Sequence, residues 1–293
     1  MVRFDLDARR MSTLTEYPLG MSPDPDEVLR LEQQHLAWQR QTERLWDLAG
    51  ICAGQTVIDL GCGPGFTAVD LARRVGPSGR VVAIDASTAT AEHARAYAAR
   101  QGLSNVEIVS QLEAEADLSR WSPDVVFARW FYWFVPDAEE SIARVASALG
   151  EGGTVAVLDY CNYHGIGIEP ASPLFDKVFR AVADSVADQG GSLDIAGRMP
   201  ALFRASGLTV SAIEPLNQVA SPGSPVWRWV STFQRLYLPA LVERGYLARQ
   251  DLDDHVVWWA AREQDPATVF FAPPILGVVG RKGTQRSATR CST

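Results

Sequence analysis

The chain contains a series of short, almost continuously apolar segments that are rich in β-branched residues. Five of them follow one another at residues 56–60, 80–85, 106–109, 124–128 and 154–159. A strand that is covered on both faces has a continuous apolar run, whereas a strand with one solvated face alternates apolar and polar positions. The pattern therefore predicts the buried strands of a parallel sheet.

Helical segments are predicted between these strands, at about 66–75, 88–101 and 137–149. A glycine follows each of them, and we interpret Gly76, Gly102 and Gly150 as left-handed helix ends. A helix near 198–206 and strands at 208–213 and 275–280 continue the series. Because alternation at this spacing is typical of βαβ units, the fold class is predicted to be α/β, with a doubly wound, mostly parallel seven-stranded sheet.

The remaining segments divide the chain into three parts. Residues 1–50 are predicted to form an N-terminal helical cap whose first helix begins at Asp24, and residues 51–160 form the strand-rich core. Residues 161–293 complete the sheet and carry two helical insertions, at about 162–196 and 222–266. The second insertion contains six large aromatic residues: Trp227, Trp229, Phe233, Tyr237, Trp258 and Trp259. We expect the insertions to form a helical lid over a substrate.

A glycine-rich turn, residues 61–65, joins the first strand to the following helix. Ligands of open parallel sheets bind beyond the carboxyl ends of the strands, where glycines let the backbone approach them closely. A dinucleotide site would need G-x-G-x-x-G, but here the third glycine comes one residue early and Phe66 follows it. Asp59, before the turn, would repel a pyrophosphate and attract an ammonium. Asp85 ends the second strand, where a carboxylate can accept both ribose hydroxyls.

This combination resembles the class I S-adenosylmethionine-dependent methyltransferases. Their first motif has the form Asp59-x-Gly61-x-Gly63-x-Gly65, and their second strand ends in an acid like Asp85. The resemblance covers about residues 30–215 and implies that the Rossmann-like core, residues 51–160, binds S-adenosyl-L-methionine. It further implies that Gly61 and Gly63 pass under the cofactor, that Asp59 lies near its methionine amino group and that Asp85 holds the ribose.

The resemblance also assigns neighbouring residues to the cofactor. After the third strand such enzymes usually carry a small residue and an aspartate beside the adenine, whereas this chain has Ser110-Gln111-Leu112-Glu113. Either the Gln111 amide or the Leu112 backbone could contact the ring edge. The predicted cofactor site comprises Asp59, Gly61, Cys62, Gly63, Gly65, Asp85, Ala86, Gln111, Leu112 and Arg129.

The segment after the fourth strand is rich in aromatic residues, as in many small-molecule methyltransferases of quinone biosynthesis and natural-product tailoring. The resemblance places such residues near the sulfonium and the substrate, and aromatic faces attract a sulfonium as they do other cations. Plain core packing is the alternative for each of them. Trp130 and Trp133 lie in this segment, and Tyr160 and Tyr163, at and after the end of the fifth strand, are added by position alone. The predicted substrate-binding residues are therefore Trp130, Trp133, Tyr160 and Tyr163.

A general base is needed only if the acceptor must lose a proton. His164 follows the fifth strand at the ligand-binding edge and is the predicted catalytic residue, because its ordinary pKa suits proton removal near neutral pH. His255, in the lid, is a weaker candidate. His35 and His93 are predicted to be helix-surface residues.

Charge and composition limit the partners. A net charge of -8 and an isoelectric point near 5.1 argue against nucleic acid, which needs clustered basic residues. No apolar run of 18 residues and no secretory leader is visible, so we expect a cytoplasmic protein without a membrane partner. No cluster has metal-ligand spacing, and the four cysteines are predicted to be reduced.

We therefore expect methyl transfer to a small organic acceptor, such as a natural product or another secondary metabolite. Two alternatives remain open at this point. One is a methyltransferase fold that binds the cofactor but has lost methyl transfer, as a cyclase or a binding protein. The other, less favoured, is a nicotinamide-dependent oxidoreductase. The sequence does not determine the acceptor, the methylated element (O, N, C or S) or the oligomeric state.

Overall fold

A seven-stranded sheet organises the chain. The computed structural model describes residues 24–283. Within this range the strands are β1 (Thr56–Leu60), β2 (Arg80–Asp85), β3 (Val106–Ser110), β4 (Val125–Arg129), β5 (Thr154–Tyr160), β6 (Gly167–Glu169), β7 (Leu208–Pro215), β8 (Val219–Ala220), β9 (Val269–Phe271) and β10 (Ile275–Lys282). The main sheet has the order β3-β2-β1-β4-β5-β10-β7. Strands β1 to β5 are parallel, and β10 runs antiparallel between β5 and β7, which confirms the predicted fold class.

Both faces of this sheet are covered, as the continuous apolar runs predicted. Successive residues of β1 enter different cores: Val57 belongs to a cluster that includes the insertions, and Ile58 belongs to the cluster on the opposite face. Val81 and Val82 of β2 divide in the same way. Because neighbouring side chains of a strand point to opposite faces, a strand between two apolar layers needs no polar positions.

Nine helices accompany the strands in the described part of the chain. They are α1 (Pro25–Ala37), α2 (Gln39–Ala49), α3 (Phe66–Val75), α4 (Thr88–Arg100), α5 (Ala138–Ala148), α6 (Pro173–Asp188), α7 (Ile195–Ala205), α8 (Pro225–Glu243) and α9 (Arg249–Glu263). The three helices predicted between strands are present. The left-handed end predicted at Gly150 is wrong: α5 ends through an extended Leu149, and positive φ falls instead at Gly152, in the turn before β5.

Three helices outside the strand-rich core share one kind of beginning. Asp24, Ser172 and Ser224 precede a proline and accept a hydrogen bond from the backbone N–H three residues later. The side-chain acceptor at the cap binds one of the N–H groups left unpaired at the start of a helix, and a proline in the first turn has no N–H group to leave unpaired. Helices α1, α6 and α8 therefore begin where their local sequence dictates.

The two insertions pack on each other. Lys177 of α6 pairs with Asp251 of α9 at 2.6 Å, and Ser185 of α6 hydrogen-bonds the Tyr237 hydroxyl of α8 at 2.8 Å. A second, three-stranded antiparallel sheet of order β6-β9-β8 joins their ends, and the sequence did not predict it. Strands of two or three residues are too short to show an alternating pattern.

Most of the six aromatic residues of the second insertion pack against other residues of the lid. The rings of Trp227 and Trp259 stack at 4.1 Å, and Phe175 of α6 contacts both Trp258 and Trp259. Trp229 and Phe233, by contrast, line the large cavity described below. Two of the six aromatic residues therefore reach the cavity, and the others form an internal core of the lid.

The ends of the chain carry further predictions. The predicted N-terminal cap is present as α1 and α2, while residues 1–23 and 284–293 lie outside the described residues. Between residues 24 and 283 no helix is long and apolar enough to cross a membrane.

Candidate functional site

A cavity of about 550 Å³ lies at the carboxyl ends of the parallel strands. The glycine turn after β1, the end of β2 and the segment after β4 border it. Helices α1 and α8 also contribute side chains to its wall. It therefore occupies the edge at which open parallel sheets bind their ligands.

The glycine turn has the shape that only glycines allow. Gly61 and Gly65 have φ angles of 66° and 88°, and a Cβ atom at either would come within 3 Å of Phe131 or Ala94. Gly63 also has a positive φ, of 54°, but a Cβ atom there would meet nothing within 4 Å. Gly61 and Gly65 therefore permit close packing of the turn, and Gly63 leaves open space at the cavity wall.

Asp85 ties this turn to the end of β2. Its carboxylate accepts hydrogen bonds from the N–H groups of Gly63 and Ser87, both at 2.9 Å. Burial raises the pKa of Asp85, and the two backbone hydrogen bonds oppose that shift. The carboxylate is half-buried and lines the cavity, so it can accept further hydrogen bonds from a ligand.

Asp59 and Arg129 contribute opposite charges to the same wall. Asp59 is 2% exposed, and its Oδ2 atom has no hydrogen-bond partner among the described residues. Burial raises its pKa to about 7, with Arg129 opposing and Asp85 adding to the shift. Burial also lowers the pKa of Arg129, to about 10. A buried carboxylate without a donor is costly, so this arrangement suits a ligand that carries an ammonium group.

Four further predicted cofactor residues are brought to the cavity, whereas Gly65 is not among the residues that line it. Cys62, Ala86, Gln111 and Leu112 line it. The Gln111 amide is already engaged, since Nε2 donates to the Glu115 carbonyl at 3.1 Å. This contact uses one of the two N–H groups of the amide, so both predictions for the adenine edge, the Gln111 amide and the Leu112 backbone, stay open.

The segment after β4 is fixed by a residue that the sequence did not single out. Asp159, at the end of β5, is fully buried and accepts N–H bonds from Tyr132, Trp133 and Tyr160 at 2.8 to 3.2 Å. Burial raises its pKa to about 7, and these bonds oppose the shift. The available signal was an acid at the end of a buried apolar strand, the pattern that identified Asp59 and Asp85.

The four predicted substrate-binding residues lie together. Trp130, Trp133, Tyr160 and Tyr163 all line the cavity. The Tyr160 ring lies 6.3 Å from Trp130 and 5.6 Å from Tyr163. Trp130 has a φ of 50°, which is rare for a large side chain and is found where the surroundings impose it. Trp229 of the lid stacks on Trp130 at 6.5 Å and extends this aromatic wall.

Helix α1 adds polar residues that the sequence analysis missed. Arg30 and Gln34 line the cavity, and the Arg30 guanidinium binds the Glu27 carboxylate at 2.7 Å and the Gln34 side chain at 2.8 Å. All three residues are buried. Their spacing of three and four residues places them on one helix face, but such a polar face is ordinarily solvated, and its burial depends on α8.

The histidines differ most from expectation. His164 is exposed on the turn at 163–165 and is not among the cavity-lining residues, so the structure does not bring it to the other site residues. The prediction of a surface position for His35 is wrong, since it is buried between Asp70 and Arg129. His255 is buried in the lid beside Gln234. Between residues 24 and 283 no group of three metal-binding side chains is present.

Comparison with known proteins gives concordant results. A family described as a methyltransferase domain matches residues 51–190. The chain is 34% identical over 113 residues to the aklanonic acid methyltransferase of Streptomyces sp. (strain C5), an alignment that covers 39% of this chain and about half, 51%, of that relative. It is 32% identical over 219 residues to the trans-aconitate 2-methyltransferase of Azoarcus sp. (strain BH72), covering 71% of this chain and 76% of the relative.

The fold is also found among solved structures. The geranyl diphosphate C-methyltransferase of Streptomyces coelicolor A3(2) superposes with a TM-score of 0.54 at 16% identity, covering 83% of this chain and 76% of that one. At this identity the similarity concerns the fold alone.

Proposed function

Since the chain belongs to the class I S-adenosylmethionine-dependent methyltransferases, we propose that it methylates a small aromatic or largely apolar acceptor held beneath the lid. One observation carries the proposal: a single cavity is bordered by the glycine turn and its acids and also by Trp130, Trp133 and Tyr160. Cofactor and acceptor would thus share one enclosed space, as transfer between them requires.

The residues of the glycine turn fit S-adenosyl-L-methionine. Asp59 would accept the ammonium of its methionine part, which supplies the partner that the buried carboxylate lacks. Asp85 would accept the ribose hydroxyls, and the open space at Gly63 leaves room for the ligand. When bound, the cofactor supplies a methyl group activated by a positively charged sulfur.

The aromatic wall favours an acceptor with a flat, apolar body. Indole and phenol rings offer large rigid contact areas at little cost in conformational entropy. The relative named for aklanonic acid supports an acceptor of the secondary-metabolite kind. We also propose that this acceptor is a free molecule of the cytoplasm and not a nucleic acid, in keeping with the net charge of -8.

The chain would act mainly by alignment and by excluding water. An electron pair of the acceptor atom forms the bond to the methyl carbon while the bond from that carbon to sulfur breaks, and any proton on the acceptor must leave. Burial raises the pKa of both Tyr160 and Tyr163, so their hydroxyls would donate hydrogen bonds to the acceptor and would not remove its proton. A role for His164 as the base stays a prediction, and its exposed position gives it no support.

Ligand binding separates this function from its alternatives. Isothermal titration should show binding of S-adenosyl-L-methionine and none of the nicotinamide dinucleotide NAD⁺, and the reverse result would identify an oxidoreductase. Acceptors with flat aromatic bodies should then take up label from cofactor carrying a ¹⁴C methyl group. Tight cofactor binding without transfer to any acceptor in a broad panel would instead favour a cyclase or a binding protein.

A further inference from the structure

Asp59 and Arg129 together have the charges of an amino-acid site. Each influences the pKa of the other, yet no direct ion pair between them is found among the described residues. An α-amino acid carries an ammonium and a carboxylate side by side. A carboxylate and a guanidinium that share a wall without neutralising each other are complementary to that zwitterion.

The Arg129 guanidinium is held by two elements that lie far away in sequence. Its Nη1 donates to the Thr42 hydroxyl of α2 at 3.0 Å, and its Nη2 lies 3.2 Å from Nδ1 of His35 on α1. The Thr42 hydroxyl donates in turn to the Trp38 carbonyl at 2.9 Å, so its oxygen is available as an acceptor. These contacts restrict the guanidinium to one orientation at the cavity wall.

The partners of His35 determine its protonation. Arginine only donates hydrogen bonds, so Nδ1 must carry the lone pair that accepts from Arg129. The proton of the neutral ring therefore lies on Nε2, which donates to Oδ2 of Asp70 on α3 at 3.1 Å. Burial and the Arg129 charge lower the pKa of His35, and Asp70 opposes them. Asp70 thus selects the tautomer that can hold Arg129.

We propose that Asp70 and His35 are positioning residues that hold Arg129 ready to bind the carboxylate of the methionine part of S-adenosyl-L-methionine. This inference rests on the proposed function. It makes α1 part of the amino-acid end of the cofactor site, because His35 is the contact between that helix and Arg129. The nucleoside end, at Asp85 and Leu112, is independent of the hydrogen-bond relay that runs from Asp70 through His35 to Arg129.

Two ligands that differ only in the amino-acid end provide the test. S-adenosylhomocysteine carries the zwitterion, whereas 5′-methylthioadenosine has the same nucleoside and sulfur but no amino-acid part. We expect His35→Leu to weaken S-adenosylhomocysteine binding about tenfold, the effect of losing a hydrogen bond to a charged group, and to change 5′-methylthioadenosine binding less than about twofold. His35→Asn keeps an acceptor close to the position of Nδ1 and should recover most of the loss.

Two further variants give the controls. Asp70→Asn should weaken only S-adenosylhomocysteine, by about threefold, since an amide selects the tautomer less strongly. Gln39→Leu removes another partner of Asp70, at 3.3 Å, and among the described residues Gln39 has no hydrogen bond to Arg129, so this variant should bind both ligands like the parent.

Each remaining outcome is decisive. If His35→Leu binds S-adenosylhomocysteine like the parent, or if both ligands weaken in equal proportion, the relay has no role in the amino-acid site and the inference is overturned. Equal effects of His35→Asn and His35→Leu would have the same meaning. If the unmodified protein binds neither ligand, the proposed function itself fails.

Discussion

We expect Asp59 to couple cofactor binding to the release of a proton. With a pKa of about 7, its carboxyl is about half protonated at neutral pH in the free protein, and an arriving ammonium favours the ionised form. Binding at pH 7 should therefore release about half a proton, and affinity should fall about tenfold per pH unit below 7.

Titration calorimetry in buffers of different ionisation enthalpy measures this release. Asp59→Asn should abolish it and weaken S-adenosyl-L-methionine by about 1.5 to 3 kcal/mol, the effect of a lost charge-assisted bond. A binding enthalpy of the parent protein that does not depend on the buffer would show that Asp59 does not change ionisation.

Gly63 offers a test of the open space in the turn. Gly63→Ala and Gly102→Ala both place a side chain at positive φ where nothing lies within 4 Å, so both should lose about 1 kcal/mol of unfolding free energy. Of these two glycines, Gly63 lines the cavity and Gly102 does not. We expect Gly63→Ala alone to weaken S-adenosyl-L-methionine, by about tenfold, and equal cofactor affinity in the two variants would remove Gly63 from the binding surface.

Residues at strand ends were predictable, and residues on α1 were not. Asp59, Gly61 and Asp85 are fixed by a local pattern, since the carboxyl end of a parallel strand has the same place in every such sheet. Arg30 and Gln34 reach the cavity only because α1 packs across it, and no local pattern encodes that contact. His164 shows the limit of the strand-end argument: it lies four residues beyond β5, and the turn at 163–165 directs it to solvent.

At the scale of elements, α8 and α9 are joined by a buried neutral histidine. His255 is 1% exposed, its Nε2 lies 2.5 Å from Oε1 of Gln234, and burial lowers its pKa to about 4. Because the folded-state pKa lies below the ordinary value of 6.5, the folded state favours the neutral ring. The stability that depends on a neutral His255 is complete above pH 6.5 and is lost as pH falls toward 4. The loss should reach about 3 kcal/mol by pH 4.

Urea unfolding of variants between pH 7.5 and 4.5 isolates this contribution. His255→Leu should flatten the dependence of the unfolding free energy on pH relative to the parent chain. His164→Ala replaces an exposed histidine and serves as the matched control. If His255→Leu and the parent lose stability in parallel, the lid does not depend on a neutral His255.

The small sheet and the lid core show why element-scale prediction was incomplete. The two helical insertions were predicted, but β6 pairs with β9 across about 100 residues of sequence and β8 pairs with β9 across about 50. Such pairing follows from the packing of the insertions and not from local propensity. The same packing determines which lid aromatics reach the cavity.

At the scale of the whole molecule, three distant parts of the chain enclose one cavity. The core supplies the glycine turn and its acids, α1 supplies Arg30 and Gln34, and α8 supplies Trp229. A hydrogen bond of 2.7 Å from Thr232 of α8 to Gln33 of α1 joins the two covering helices directly. The cavity is therefore a product of the complete fold, even though its cofactor end could be predicted from residues 59–85.

A crystal structure of the complex with S-adenosylhomocysteine tests the central claim most directly. We predict the ribose hydroxyls on Asp85, the ammonium on Asp59, the carboxylate on Arg129 and the sulfur facing the aromatic wall around Trp130. A complex in which the ligand occupies another surface, or in which its ribose lies away from Asp85, would contradict the assignment of this cavity to methyl transfer.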